Sequence, residues 1–397
     1  MSAIGLHEDR DDPALRHRQA ERPRLVPTRE VSTDLVLLTP GPVTTSPRVR
    51  QAMARHDIGH RDGAFCELFE RVRAGLKRVA DASGHDAVVL PGGGTGATEA
   101  ALRSLVARPL LVVSNGFFGE RIAEIARIVG LPVRHLRYDW GTPVDLADIA
   151  RELDADPSIG FCALVHHETS VGRLNPLSEI AALLKGRGVD LVVDVISSLG
   201  AEMFSADALD AAVVVGSANK CLHGVPGVSF VLVRRDVWAK APASCGSMYL
   251  DLKRYLAAAE ETRQTPFTPA VPALVALDEA IRELESEGGV AARHARYAAL
   301  NTRISAGLEA LGFHSLLPES GASTSLALVR LPEGVAFAAL YETLRHRGFV
   351  VYGTKGALAD VAMIVGNMGA LSDAMVDRFL AAVADAGEPG RAVAANS

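Results

Sequence analysis

The stretch Val213–Gly227 reads V-V-V-G-S-A-N-K-C-L-H-G-V-P-G. Three β-branched residues run into small ones, a single lysine follows at Lys220, and two glycines with a proline close the segment. This pattern predicts a buried strand that breaks into a tight, shaped loop. An amine at the end of such a strand is placed for covalent chemistry, because a lysine held among apolar groups keeps a lowered pKa and can form a Schiff base with a carbonyl. Read alone, the stretch fits a solvated lysine beside a Gly-Pro turn better. The flanking sequence has to decide.

The chain has 397 residues, enough for a large core and two domains. Its net charge of -6, with no long block of one sign, leaves no footprint for nucleic acid or an anionic membrane surface. Cys66, Cys162, Cys221 and Cys245 are scattered and form no CxxC pair, so reduced thiols in a cytoplasmic protein are expected, without a metal site. The opening M-S-A-I-G-L-H-E-D-R-D-D has no apolar core of a secretory signal, and no apolar run is long enough to cross a bilayer. Residues 1–32 read as a loose extension and residues 387–397 as a frayed tail.

Between these ends, short apolar runs alternate with helical patterns. Ala87–Leu90 leads into Thr95–Leu105, Leu110–Ser114 into Gly119–Val129, Ile159–His166 into Leu177–Lys185, and Val189–Val193 into a broken segment before Ala211–Val215. This predicts an α/β large domain over 33–272, a mostly parallel sheet covered by helices. Val228–Val233 follows too closely for a crossover helix and is expected to lie antiparallel. Long helices at Leu277–Glu287 and Ala291–Leu311 open a smaller α+β domain over 273–386. Strands at Thr324–Arg330, Val350–Gly353 and Val361–Gly366 and helices at Val335–His346 and Leu371–Asp385 complete it.

The informative residues stand where predicted strands end, which is where open α/β sheets take ligands. After Val88–Leu90 comes P-G-G-G-T-G-A-T-E (Pro91–Glu99), a glycine turn into a helix start that can cradle an anion, although it is neither a Walker loop nor a convincing dinucleotide fingerprint. After Leu111–Val113 comes S-N-G-F-F-G-E-R (Ser114–Arg121), in which one of two adjacent aromatics can lie against a planar ligand. After Leu164–Val165 comes H-H-E-T-S-V-G-R-L-N-P (His166–Pro176). Asp194 ends the apolar run Leu191–Val193, as either a cap or ion-pair partner or a carboxylate facing a protonated ring nitrogen. Cradle, stacking ring, carboxylate and lysine together suit pyridoxal phosphate.

These motifs, with L-T-P-G-P-V-T-T-S at Leu38–Ser46, resemble the class V aminotransferases of pyridoxal phosphate fold type I, and among them the 2-aminoethylphosphonate–pyruvate transaminases, over Leu35–Asp385. The resemblance implies a Schiff base at Lys220, which would also shuttle a proton, and Asp194 at the ring nitrogen. It further implies Phe118 stacking on one ring face with Ile196 on the other, Thr169 beside the ring hydroxyl, and Gly93, Gly94 and Thr95 at the phosphate. Thr265, in T-R-Q-T-P-F-T (Thr262–Thr268), would complete the phosphate site of a second subunit, so a homodimer with shared active sites is implied.

One departure stands out. These transaminases carry an anion-binding arginine two residues before the glycine of a G-N-x-G motif, and Val361–Gly369 reads V-A-M-I-V-G-N-M-G, with Ile364 in that place. A fork of donors has become an apolar side chain. Arg61, Arg263 and Lys355 are the loop cations that could substitute, each equally readable as solvated. The leading expectation is transamination between a 2-aminoethylphosphonate-like donor and a pyruvate-like acceptor. A pyridoxal phosphate lyase or other non-transaminating enzyme acting on a modified aminophosphonate or amino acid, which needs no acceptor arginine, is the alternative, and a non-catalytic homologue a third.

Overall fold

The structure is a computed structural model that describes residues 35–316, 320–354 and 358–387. The chain opens with β1 (Val36–Leu37), α1 (Pro47–Ala52), α2 (Gly63–Val79), β2 (His85–Pro91), α3 (Gly94–Leu105), β3 (Leu110–Ser114), α4 (Phe117–Ile128) and β4 (Val133–Arg137). It continues with α5 (Leu146–Ala155), β5 (Phe161–Val165), β6 (His167–Glu168), β7 (Arg173–Leu174), α6 (Leu177–Lys185), β8 (Asp190–Asp194), β9 (Val213–Ser217) and β10 (Val228–Arg234). Then come α7 (Val237–Lys240), α8 (Leu252–Thr262), α9 (Val271–Ser286), α10 (Gly289–Ala310), β11 (Leu326–Arg330), α11 (Phe337–His346), β12 (Phe349–Val350), β13 (Tyr352–Gly353), β14 (Ala362–Gly366) and α12 (Asp373–Gly387).

Seven strands form one sheet in the order β2-β10-β9-β8-β5-β3-β4. The neighbours from β9 to β4 pair in parallel, and β10 runs antiparallel to both β2 and β9, as its short connection demands. The inner strands are apolar along their whole length because helices cover both faces. Val213, Val214 and Val215 of β9 are all buried, with Val214 in one apolar cluster and Val213 and Val215 in the other. β4, β6, β7, α5, α7 and α8 are additions to the expected elements. β4 reads V-R-H-L-R and sits at the sheet edge, half exposed, so it carries too few apolar residues to announce itself.

A three-stranded antiparallel sheet, β11-β14-β13, with α10, α11 and α12 builds a second, smaller α+β unit around its own apolar cluster. The stretch expected as one strand at Val350–Gly353 divides: Val350 pairs with Leu37 of β1, and Tyr352 with Ile364 of β14. Val36 and Leu38 therefore belong to the small unit's core although they precede the large sheet in sequence. The change of pattern near Ala273 falls inside α9, whose Leu274, Leu277, Ile281 and Leu284 pack into the large core. The calls on residues 1–32 and on the tail beyond Gly387 lie outside the described residues.

Candidate active site

Lys220 follows β9, and its loop folds back on itself. The Gly224 amide donates to the Ala218 carbonyl at 2.8 Å, the His223 amide to the Lys220 carbonyl at 2.8 Å, and the Ala218 amide to Val228 at 3.0 Å. The lysine is buried, and burial holds its pKa below the usual value while the nearby Asp194 charge pulls the other way. The turn T-P-G-P at Thr39–Pro42 supports its stem: a Cβ added at Gly41, where φ is +124°, would stand 2.9 Å from Lys220 Cε. That glycine lets backbone close over the lysine.

Asp194 ends β8, adjacent to β9 and in register with Val215. Its Oδ1 accepts from the Ile196 amide at 2.8 Å, and burial pushes the carboxyl up to about 7. A cation brought into the adjoining cavity would draw that pKa back down. Asp194, Ile196, Phe118 and Lys220 line one cavity, with Lys220 Nζ 5.3 Å from the Phe118 ring centroid.

The same cavity is bounded by Gly93, Gly94 and Thr95 at the start of α3. Gly93 is the N-cap and no side chain caps the helix, so its first amides and positive end stay open. A Cβ at Gly94 would lie 2.3 Å from Ile196 Cδ1, so a larger residue there would displace the Ile196 side chain that lines the cavity. Thr169 Oγ1 is buried with no hydrogen-bond partner among the described residues. An open helix end, a glycine cradle, a buried carboxyl beside a lysine and an orphaned hydroxyl fit the phosphate, ring and ring hydroxyl of pyridoxal phosphate.

A second cavity of about 330 Å³ adjoins the first, sharing Phe118, Arg121 and Lys220, and is walled by Pro40, Gly41, Phe117, Trp140, Thr169, Ser170, Tyr352, Gly353, Thr354 and Ile364. Ile364 is buried on β14 and clusters with Leu326, Leu328 and Ala362, so the expected apolar replacement does face the cavity. Arg61 and Arg263 do not line either cavity. Arg61 donates to Gln264 Oε1 at 2.8 Å and to the Thr265 carbonyl at 2.9 Å, while exposed Arg263 caps α8 in the left-handed region with φ +56°. Thr265 is buried, donates to the Phe267 carbonyl at 2.7 Å and is absent from its own chain's Lys220 cavity. Lys355 lies outside the described residues.

Sequence reasoning passed over two residues here. Glu168, buried in the β6–β7 hairpin, accepts from the Gly119 amide at 3.0 Å, the Phe118 amide at 3.3 Å and the Ser170 hydroxyl at 2.5 Å, capping α4. Burial pushes its pKa up, and these bonds oppose the shift. Arg121 stands over both phenylalanines, 4.7 Å from the Phe117 centroid and 5.2 Å from that of Phe118. Both were in quoted motifs, but their partners are remote in sequence.

Comparison with known proteins agrees with this geometry. The family described as Aminotransferase class-V matches residues 48–363. A 2-aminoethylphosphonate–pyruvate transaminase from a Polaromonas species is 38% identical over 365 residues, covering 90% of this chain and 97% of the relative. One from Pseudomonas aeruginosa is 37% identical, covering 88% and 95%. Among solved structures, pyridoxamine–pyruvate aminotransferase from Mesorhizobium loti superposes with a TM-score of 0.83 at 28% identity, covering 90% of this chain and 93% of that one. Ureidoglycine–glyoxylate aminotransferase from Bacillus subtilis gives 0.84 at 27%, covering 92% and 97%. The chain belongs to the class V aminotransferases.

Proposed function

We propose that the protein is a pyridoxal-phosphate-dependent aminotransferase that takes an amino group from a small amine bearing an acidic group, of the 2-aminoethylphosphonate kind, and passes it to a keto acid of the pyruvate kind. One observation carries the reading: the buried Lys220 amine opens on the cavity that also holds Asp194, Phe118 and the uncapped start of α3. Pyridoxal phosphate, when bound, supplies an electron sink that makes the hydrogen beside the substrate amine acidic. Lys220, with its lowered pKa, is suited to take that proton and return it. Asp194 would hold a negative charge against the ring nitrogen, the amides of Gly94 and Thr95 would grip phosphate, and Thr169 would donate on the ring hydroxyl side. Phe118 and Ile196, which line the same cavity, would pack the two faces of the ring. The full-length likeness to named 2-aminoethylphosphonate–pyruvate transaminases supports the donor and acceptor.

A homodimer is part of the reading. Gly92, Gly93 and Thr95 are exposed in the single chain, which supports completion of the phosphate site by a second copy. Cys66, Cys162 and Cys221 are buried free thiols, which supports a reducing, cytoplasmic setting. Adding 2-aminoethylphosphonate alone to the yellow holoenzyme is expected to convert the cofactor absorbance to that of its amine form, and pyruvate to restore it. An absorbance unchanged across a panel of amines would refute the assignment.

Ile364 favours a second reading. With an apolar residue in place of the acceptor arginine, the same apparatus can release ammonia, an aldehyde or an olefin from a modified aminophosphonate without any keto acid. Product release that is independent of added keto acid distinguishes this lyase from the transaminase.

A further inference from the structure

Arg121 is a half-buried guanidinium with no carboxylate partner among the described residues. It projects from the first turns of α4 over the rings of Phe117 and Phe118, and its one polar contact among the described residues is long, Nη1 to Thr95 Oγ1 at 3.3 Å. Three nearby acids are engaged elsewhere, Glu120 with Arg137 and the Trp140 ring N–H, Glu99 with Arg103, and Glu168 with the α4 amides, while the buried Asp194 carboxyl feels the Arg121 charge without forming an ion pair with it. An Arg fork has five donors, and most of these remain unused. A partly desolvated, unpaired guanidinium that lines two adjoining cavities calls for an anionic ligand.

Two anions could answer. One is the phosphate of the cofactor, and the other is the acid group of the substrate. Phosphate already has the open amides at Gly93, Gly94 and Thr95, which line the first cavity and not the second. Arg121 lines both. The second cavity contains no carboxylate among its described residues, its only cations are Lys220 and Arg121, and its far wall is Ile364 with Tyr352. An acid group placed against Ile364 would lose hydration without a partner.

We infer that Arg121 binds the acid group of the substrate, carboxylate or phosphonate, from the α4 side of the cavity, in place of a cation on β14. The inference rests on the proposed aminotransferase activity and specifies its substrate orientation: acid toward α4, apolar face toward Ile364. Anion recognition then sits on the large domain, beside the ring that Phe118 faces.

The test compares holoenzymes of wild type, Arg121→Gln and Arg121→Lys. The rate of cofactor conversion is measured against concentration for 2-aminoethylphosphonate and 3-aminopropanoate, and for propylamine, which lacks the acid. Arg121→Gln is expected to lower the second-order rate for the acidic amines by about tenfold to a hundredfold and to leave propylamine within about threefold. Arg121→Lys, which keeps the charge and loses the fork, should fall between them and covers the case in which the Gln variant fails to fold. Cofactor retention on dialysis should match wild type. Calorimetric binding of methylphosphonate, which needs no turnover, should weaken in parallel. Equal losses for acidic and neutral amines would reduce Arg121 to a structural role, and lost cofactor retention with an unchanged acid preference would assign it to the phosphate. If wild type converts no amine yet methylphosphonate binding still depends on Arg121, the proposed activity fails and the anion site stands; if that binding is indifferent to Arg121, the anion site fails.

Discussion

The Glu168 carboxylate accepts the Gly119 backbone amide at 3.0 Å and so ties the hairpin after β5 to the first turn of α4. The start of this helix carries Phe118 and Arg121, so a buried acid that lines neither cavity helps to set the position of two residues that do. It satisfies helix-start amides that have no partner within the helix, and its charge faces the positive helix end.

Truncation of that side chain should therefore be felt both in stability and at the cofactor. Glu168→Ala leaves buried amides unpaired and should lower stability by about 2–3 kcal/mol, with Glu168→Gln milder. Urea unfolding of the two variants, paired with the rate of cofactor loss on dilution, checks both effects. An unchanged midpoint for Glu168→Ala would show that the cap is dispensable.

Replacing the lysine tests the covalent step. Lys220→Ala is expected to fold, to bind the cofactor weakly with the absorbance of the free aldehyde, and to lose at least about a thousandfold in turnover, because one group serves as both anchor and proton carrier. Added methylamine should restore part of the rate, and retention of wild-type turnover would rule out Lys220 as the nucleophile.

The apoprotein should report Asp194 through pH. Its carboxyl is raised by burial from the ordinary 3.8 to about 7, so the folded state disfavours the charge. Below about pH 4 it is protonated whether folded or unfolded, and its contribution to stability is fully present. As pH rises from about 4 through 7 the unfolded chain gains from ionisation and that stability is progressively lost. The stability advantage of apo Asp194→Asn over wild type should therefore grow between pH 4 and 7, toward a limit on the order of 4 kcal/mol. Urea midpoints of both apoproteins across this range give the difference directly, and a flat difference would mean the carboxyl is not buried as described. With cofactor bound the Asn variant should instead lose most of its turnover.

Substitution at the apolar wall tests acceptor binding. Ile364→Arg places a guanidinium on β14 facing the second cavity, and the KM for pyruvate is expected to fall by about tenfold, at a stability loss of about 1–3 kcal/mol from charge entering a buried cluster. Steady-state kinetics with a fixed amine donor measures it. A KM indifferent to the substitution would show that Ile364 is not what limits the acceptor.

Much of the site was legible because its signals are local. Lys220, Asp194, Phe118 and the Gly93–Thr95 turn each stand just beyond a run of buried β-branched or apolar residues. A parallel sheet covered on both faces needs such runs, and it brings their carboxyl ends to one edge. Hence the sequence by itself determined the α/β layout, the antiparallel turn of β10 and the strand-end side chains that meet near the lysine, Asp194, Phe118 and the Gly93–Thr95 turn. Only the tertiary structure decided the rest. It showed that Gly41 packs on the lysine stem, that Glu168 caps α4, that β1 serves the small unit, and that Arg121 lines two cavities with no carboxylate partner among the described residues while Arg61 and Arg263 turn elsewhere. Those relations join residues far apart in the chain, where no periodicity or turn chemistry links one partner to the other, and packing alone selects them.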